Sequence, residues 1–198
     1  MATSQPVASA STAWRSHCGS ALTIEADGAN LEQVGHSTLH EGHASLLPDG
    51  RVVYDRWEYV DRNFGDAQGL WTVNPDGTNH AVYWGNNTVS PPAVFDGRVI
   101  PGRDEVVCIF GSCHDRPWGS LAIIDRSKGI DSKEAVERIW PESARGLISI
   151  DGSDLSQPFM CDHFRQLRSR YEDPYPLIDP QTETGGTYFL VSRSIHPV

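Results

Sequence analysis

The sequence predicts an all-β chain built of propeller blades, about three four-stranded antiparallel blades that form an incomplete ring. Three observations lead there. Apolar runs are of strand length, Gly- and Pro-containing turns separate them, and runs and turns recur together.

The clearest recurrence aligns IEADGANLEQVG, from Ile24, with VNPDGTNHAVYWG, from Val73. Asp27-Gly28-x-Asn30 then falls on Asp76-Gly77-x-Asn79, 49 positions later. A second module runs HASLLPDGRVVYDRW from His43 and PAVFDGRVIPGRDEVVCIFGS from Pro92, matched on Asp-Gly-Arg-Val. YPLIDPQTETGGTYFLVSR, from Tyr175, reads as a looser third copy, and LAIIDRSKGIDSKEAVERIW, from Leu121, as a third blade tail.

RVVYDRW and EVVCIF are β-branched and aromatic runs, and LWTV and LAII are further short strands. Asn-Pro-Asp-Gly sets a fixed φ and then a positive one, so it turns the chain into a returning strand, HAVYW. On this reading residues 21–35 supply the outer half of one blade, 43–84 and 92–140 two whole blades, and 175–194 the start of another. Closed propellers use roughly four to eight blades. The expectation is therefore a piece of a longer protein, a truncated product, or a chain that closes by association. Residues 1–20 read as a disordered or poorly ordered N-terminal segment before a partial propeller over 21–198, and polar 141–174 as a long inter-blade loop. SKEAVERIW and the stretch around CDHFRQLRSRY offer helical spacing. A two-layer β-sandwich is the competing architecture.

The 198 residues carry a net charge of −10, which repels phosphate backbones and argues against nucleic-acid binding. No apolar run is long enough for a membrane helix, and the N-terminal stretch lacks a signal-peptide layout. The cysteines, Cys18, Cys108, Cys113 and Cys161, fit no zinc ribbon. Cys108-x4-Cys113-His114 is not C-x-x-C-H, so no haem or other cofactor is expected.

LPDGRVVYDRWEYVDR followed by LWTVNPDGTN resembles the repeats of the TolB propeller and its relatives. More narrowly, HEGHASLLPDGRVVYDRWEYVDR, IPGRDEVVCIFGSCH and DPYPL…YFLVSR resemble the middle domain of the hydrazine synthase alpha subunit. Large planctomycete-type proteins share that domain. The resemblance spans about Ile24 to Arg193 and implies a propeller domain of an exported, multi-domain, periplasmic protein. Without C-x-x-C-H, the haem chemistry of that family does not carry over.

Three places could bear chemistry. His40, Glu41 and His43 form H-E-x-H just before a strand, where two imidazoles and a carboxylate make a weak metal-site candidate. Arg56, Trp57, Glu58 and Asp61 mix charges with an aromatic, suiting either a polar-ligand funnel or an ion-pair and cation–π lock between blades. Cys113-His114-Asp115 is a poor nucleophile–base pair because adjacent strand residues face opposite ways, which leaves His114 as a ligand contact.

The leading expectation is a non-catalytic scaffold or binding module that presents loops to a protein partner, to remaining blades or to a small polar ligand. The alternative is an accessory domain of a redox or metal-dependent enzyme whose centre lies at an interface with other domains.

Overall fold

The computed structural model describes residues 20–25, 27–58, 68–150, 160–179 and 187–195. Strand dominates them. The first hairpin is β1 (Leu22–Thr23) with β2 (Glu32–Gln33). A four-stranded antiparallel meander follows: β3 (His40–Leu46), β4 (Val52–Trp57), β5 (Gln68–Val73) and β6 (Ala81–Trp84). After β7 (Thr88–Ser90) comes a second meander: β8 (Ala93–Val99), β9 (Val106–Gly111), β10 (Gly119–Ile124) and β11 (Val136–Trp140). β12 (Ser149–Ile150) pairs back with β7, and β13 (Ser169–Ile178) with β14 (Thr187–Ile195) forms the last hairpin.

The 49-residue repeat is real at backbone level. Leu22 pairs with Gln33 and Thr23 with Glu32; moved 49 positions, Trp71 pairs with Val82 and Thr72 with Ala81. The turns match too. Gly28 and Gly77 hold φ of 87° and 79°, and Asn30 and Asn79 hold 51° and 57°. Each glycine amide donates three residues back, to Glu25 and Asn74. Asp27 and Asp76 each accept the amide two residues on. A turn closed by a left-handed glycine suits a three-residue hairpin loop. The β3–β4 turn repeats it, with Gly50 at 88° donating to Leu47.

The Asp-Gly-Arg-Val match is a likeness of letters only. Asp49-Gly50 is the β3–β4 turn, whereas Asp96-Gly97 lies inside β8. The second meander makes its own turn later, at Ile100–Glu105. The true counterpart of Asp96 is His43. β3 has a register shift between Gly42 and Ser45, β8 between Phe95 and Arg98, and β13 between Glu172 and Tyr175. At these bulges His43, Asp96 and Asp173 take φ of 47°, 51° and 52°. Histidine and aspartate are among the few side chains that tolerate this region, and such bulges bend a strand and re-aim its side chains.

Single ladder pairs link the parts, Gln68 with Ala93 and Gly119 with Tyr171. The whole therefore curls into an open half-barrel rather than a flat sheet. Curling lets sheets pack face to face. Val106, Cys108 and Phe110 on one face of β9 join Leu47, Val53 and Leu70 of the first meander in one core. Val107 and Ile109 on the other face join Phe189 and Val191 of β14. Burial on both faces explains why EVVCIF is apolar without alternation. Trp84 stacks on Phe110 with centroids 5.4 Å apart, and Phe164 meets Phe110 edge-on at 6.4 Å.

Two helical readings shrink. In SKEAVERIW only Lys133–Ala135 is a 3-10 turn, and VERIW pairs with β10 as a strand because Val136 and Ile139 enter the core. Met160–Gln166 is likewise 3-10. The stretch read as a long loop contains structure: Glu142–Leu147 is a 3-10 segment, β12 is a short strand, and β13 begins at Ser169. The polar start of β13 is held by pairing with Ser194 and Ile195, which composition does not reveal. Nearly all of the N-terminal segment read as poorly ordered, residues 1–19 of 1–20, lies outside the described residues. Among the described residues no helix is long and apolar enough to cross a membrane.

Gly97 tests the bulge. A Cβ there would stand 2.9 Å from Leu70 Cδ2, and Leu70 is fully buried. Gly97→Ala is expected to cost about 1–3 kcal/mol in chemical denaturation, as overpacking does. Gly69→Ala, where a Cβ meets nothing within 4 Å, is expected to stay within about 1 kcal/mol of the parent.

Candidate functional site

His40, Glu41 and His43 lie within β3 rather than in a loop before it, because His40, Glu41 and Gly42 pair with Trp57, Arg56 and Asp55 of β4. Strand alternation then separates the three. Glu41 is buried, with Oε2 accepting the Ala21 amide at 3.1 Å and Oε1 the Ser37 amide at 3.0 Å. It clasps the chain next to the β1–β2 hairpin, and it does not join the imidazoles in a three-ligand group.

The imidazoles meet Asp55 instead. His43 Nδ1 is 2.7 Å from Asp55 Oδ1, and His40 Nε2 is 3.5 Å from Oδ2. The Asp96 amide, at the bulge of the second meander, donates to the same Oδ1 at 3.4 Å. One buried carboxylate thus ties two bulges. Burial alone would drive Asp55 upward, yet the hydrogen bonds and charges of His40 and His43 outweigh it and hold the carboxyl at about 2. Burial works against the His43 imidazolium, but the Asp55 hydrogen bond and charge overcome it and raise the histidine above its ordinary value. Asp96 is pushed up by burial, against the pull of Arg98, whose Nη2 stands 3.0 Å from Oδ1, and of His43. Asp173, the third bulge residue, acts on Asp96 through its charge.

Arg56 is the centre of a second network. Its guanidinium lies 4.8 Å from the Trp71 ring centroid, 2.7 Å from Glu58 and 3.8 Å from Glu41. Tyr54 Oη, 3.5 Å from Arg56 Nη1, is bonded to His80 Nδ1 at 2.7 Å. Of the two sequence-based readings, a polar-ligand funnel or a lock between neighbouring blades, the lock is not what forms, because these contacts all fall within the first meander. Asp61 lies outside the described residues.

Cys113 and Cys161, 48 residues apart, form a disulfide that binds the segment after β9 to the 3-10 turn at Met160–Gln166. No nucleophilic thiol is present at Cys113, and Cys108 is buried. His114 is exposed, with Nδ1 3.2 Å from Asp162 Oδ2. His114, Cys161 and Asp162 group closely enough for a metal, but the Cys161 sulfur is already bonded. The pairing left no trace in sequence because its halves sit in distant, dissimilar segments.

A cleft of about 440 Å3 opens at the strand ends between the meanders. His40, His43, Arg56 and Trp57 come from the first meander, and Phe95 from β8 of the second. Arg116, on the segment joining β9 to β10, completes the wall; it reaches Glu172 of β13 at 2.6 Å and lies 4.6 Å from the Trp118 ring centroid. Asp115 on the same wall faces Arg170 at 3.4 Å and Arg165 at 3.7 Å. Asp55, Asp96, Asp173 and Arg116 were absent from the sequence-based site. Asp55 had a signal: it is an acid in mid-strand, inside RVVYDRW.

No protein-family model matches the chain, and no curated protein or solved structure matches it significantly either. What is established is a mostly-β protein with a curled, open sheet and a cleft walled by paired charges.

Asp55→Asn removes the hydrogen bond and charge that raise His43 and is expected to lower its titration relative to the parent in an NMR titration of the imidazoles. The linkage has two arms. The raised His43 stabilises the fold fully below its unfolded value of 6.5, and this support fades as pH rises through the folded value. The depressed Asp55 stabilises it above 3.8, and this support fades as pH falls through about 2. Asp55→Asn should flatten both arms and cost about 3–5 kcal/mol between them.

Proposed function

We propose that the chain is a non-catalytic binding module of the propeller type within a larger extracytoplasmic protein. It takes a small polar ligand with an apolar face in the cleft between its first two blades. The observation that carries this is the cleft's construction. Its charged groups are already paired, His43 with Asp55, Arg56 with Glu58 and Arg116 with Glu172, around Trp57 and Phe95. A site of pre-paired charges and aromatic walls holds and orients a ligand.

The two meanders of matching bulges and the repeated hairpin support blades as the unit. The disulfide suits an oxidising compartment, in keeping with the resemblance to the hydrazine synthase alpha subunit middle domain.

Thermal-shift screening of the purified chain against sugars, amino acids, carboxylates and nucleotides tests the reading. A true ligand at about 100 times its Kd should add about 2.7 kcal/mol, a rise of several degrees in Tm. The rise should vanish in His43→Gln and Arg56→Gln. Hits indifferent to both substitutions, or chemical turnover of a hit by the chain alone, would contradict the proposal.

A further inference from the structure

We propose that a second copy of this chain completes the β13–β14 hairpin, its β1–β2 hairpin adding as the third and fourth strands of a composite blade. The inference rests on the propeller reading above and adds the partner and the register.

Four observations converge. β13–β14 has the architecture of β3–β4 and β8–β9, including the bulge, so it is the inner half of a blade. β1–β2 has the register of β5–β6, so it is an outer half. One chain therefore carries two complementary halves at opposite ends of its described strands.

The apolar surface is distributed the same way. Among the described residues ten large hydrophobic side chains are exposed, and eight of them belong to these halves: Leu22 and Leu31 in one, Tyr175, Leu177, Ile178, Tyr188, Leu190 and Ile195 in the other. Leu190 is 64% exposed, while its counterpart Val53 is fully buried. Exposed apolar surface of this extent marks an interaction site. Finally, the outer edge of β14 pairs with no strand among the described residues, and an unpaired edge is a template for strand addition. The two whole blades and two halves among the described residues of each copy would make roughly six blades in a two-fold ring, within the range of closed propellers.

The repeat fixes the register. In the first meander Val52 pairs with Val73, Val53 with Thr72 and Tyr54 with Trp71. Carried over by the matched bulges and the 49-residue shift, Phe189 of one copy faces Ile24 of the other, Leu190 faces Thr23, and Val191 faces Leu22.

The test works in a Cys18→Ser background that keeps the Cys113–Cys161 disulfide and buried Cys108, and mixes two chains with one added cysteine each, Thr23→Cys bearing a mass tag and Leu190→Cys without one, under mild oxidation. Directly opposed strand residues lie within disulfide reach, and a neighbour two residues along does not. A cross-linked heterodimer is expected as the main product, at least tenfold over that from Thr23→Cys with Ser192→Cys. Untagged wild type should sediment as a dimer. A monomeric wild type, or cross-linking equal in both pairs, would overturn the proposal. So would a bridge within one chain carrying both cysteines in the absence of any dimer. A monomer that still binds a ligand through His43 and Arg56 would sink the closure and leave the binding reading intact.

Discussion

The arrangement depends on one buried carboxylate. Between the first and second meanders the strand ladder contributes a single parallel pair, too little to fix how two twisted sheets meet. Asp55 supplies the missing constraint by accepting from an imidazole of its own meander's bulge and from the backbone amide of the next meander's bulge. Burying a carboxylate is unfavourable by several kcal/mol unless partners satisfy it, so these contacts hold Asp55 to one geometry. The left-handed residues His43 and Asp96 are what bring those partners inward.

That constraint shapes the cleft. With the inner strands joined at their bulges, the strand ends diverge and leave a concavity walled by both meanders, while the sheet faces close on each other through Trp84, Phe110 and Phe164. Electrostatics and packing are thus separated. The His43–Asp55, Arg56–Glu58 and Arg116–Glu172 pairs stand at the cleft, and the space between the sheets is apolar.

Much of this was legible in the residues, for identifiable reasons. Asp27-Gly28 and Asp76-Gly77 announced equivalent hairpins because glycine is the residue that most readily takes the left-handed conformation closing that turn. EVVCIF and RVVYDRW announced strands through their β-branched content. The bulges were not legible: a positive φ at His43 or Asp173 leaves no mark on composition, and Asp-Gly-Arg-Val invited alignment of a turn with a strand. The H-E-x-H cluster misled for a related reason. Spacing along a chain does not say which face of a strand each side chain takes, and Glu41 turned away to hold backbone amides while Asp55, twelve residues from His43, took its place. The Cys113–Cys161 bond and the polar beginning of β13 depended on long-range pairing that no local pattern encodes.

The paired charges that wall the cleft depend on how Asp55 is held, so the His43–Asp55 coupling is the quantity to measure. A double-mutant cycle with His43→Gln and Asp55→Asn, read by urea unfolding near pH 6, addresses it directly. A coupling energy of about 1–3 kcal/mol is expected, shrinking as pH rises through the histidine's titration. Effects that add within about 0.5 kcal/mol at every pH would contradict the account.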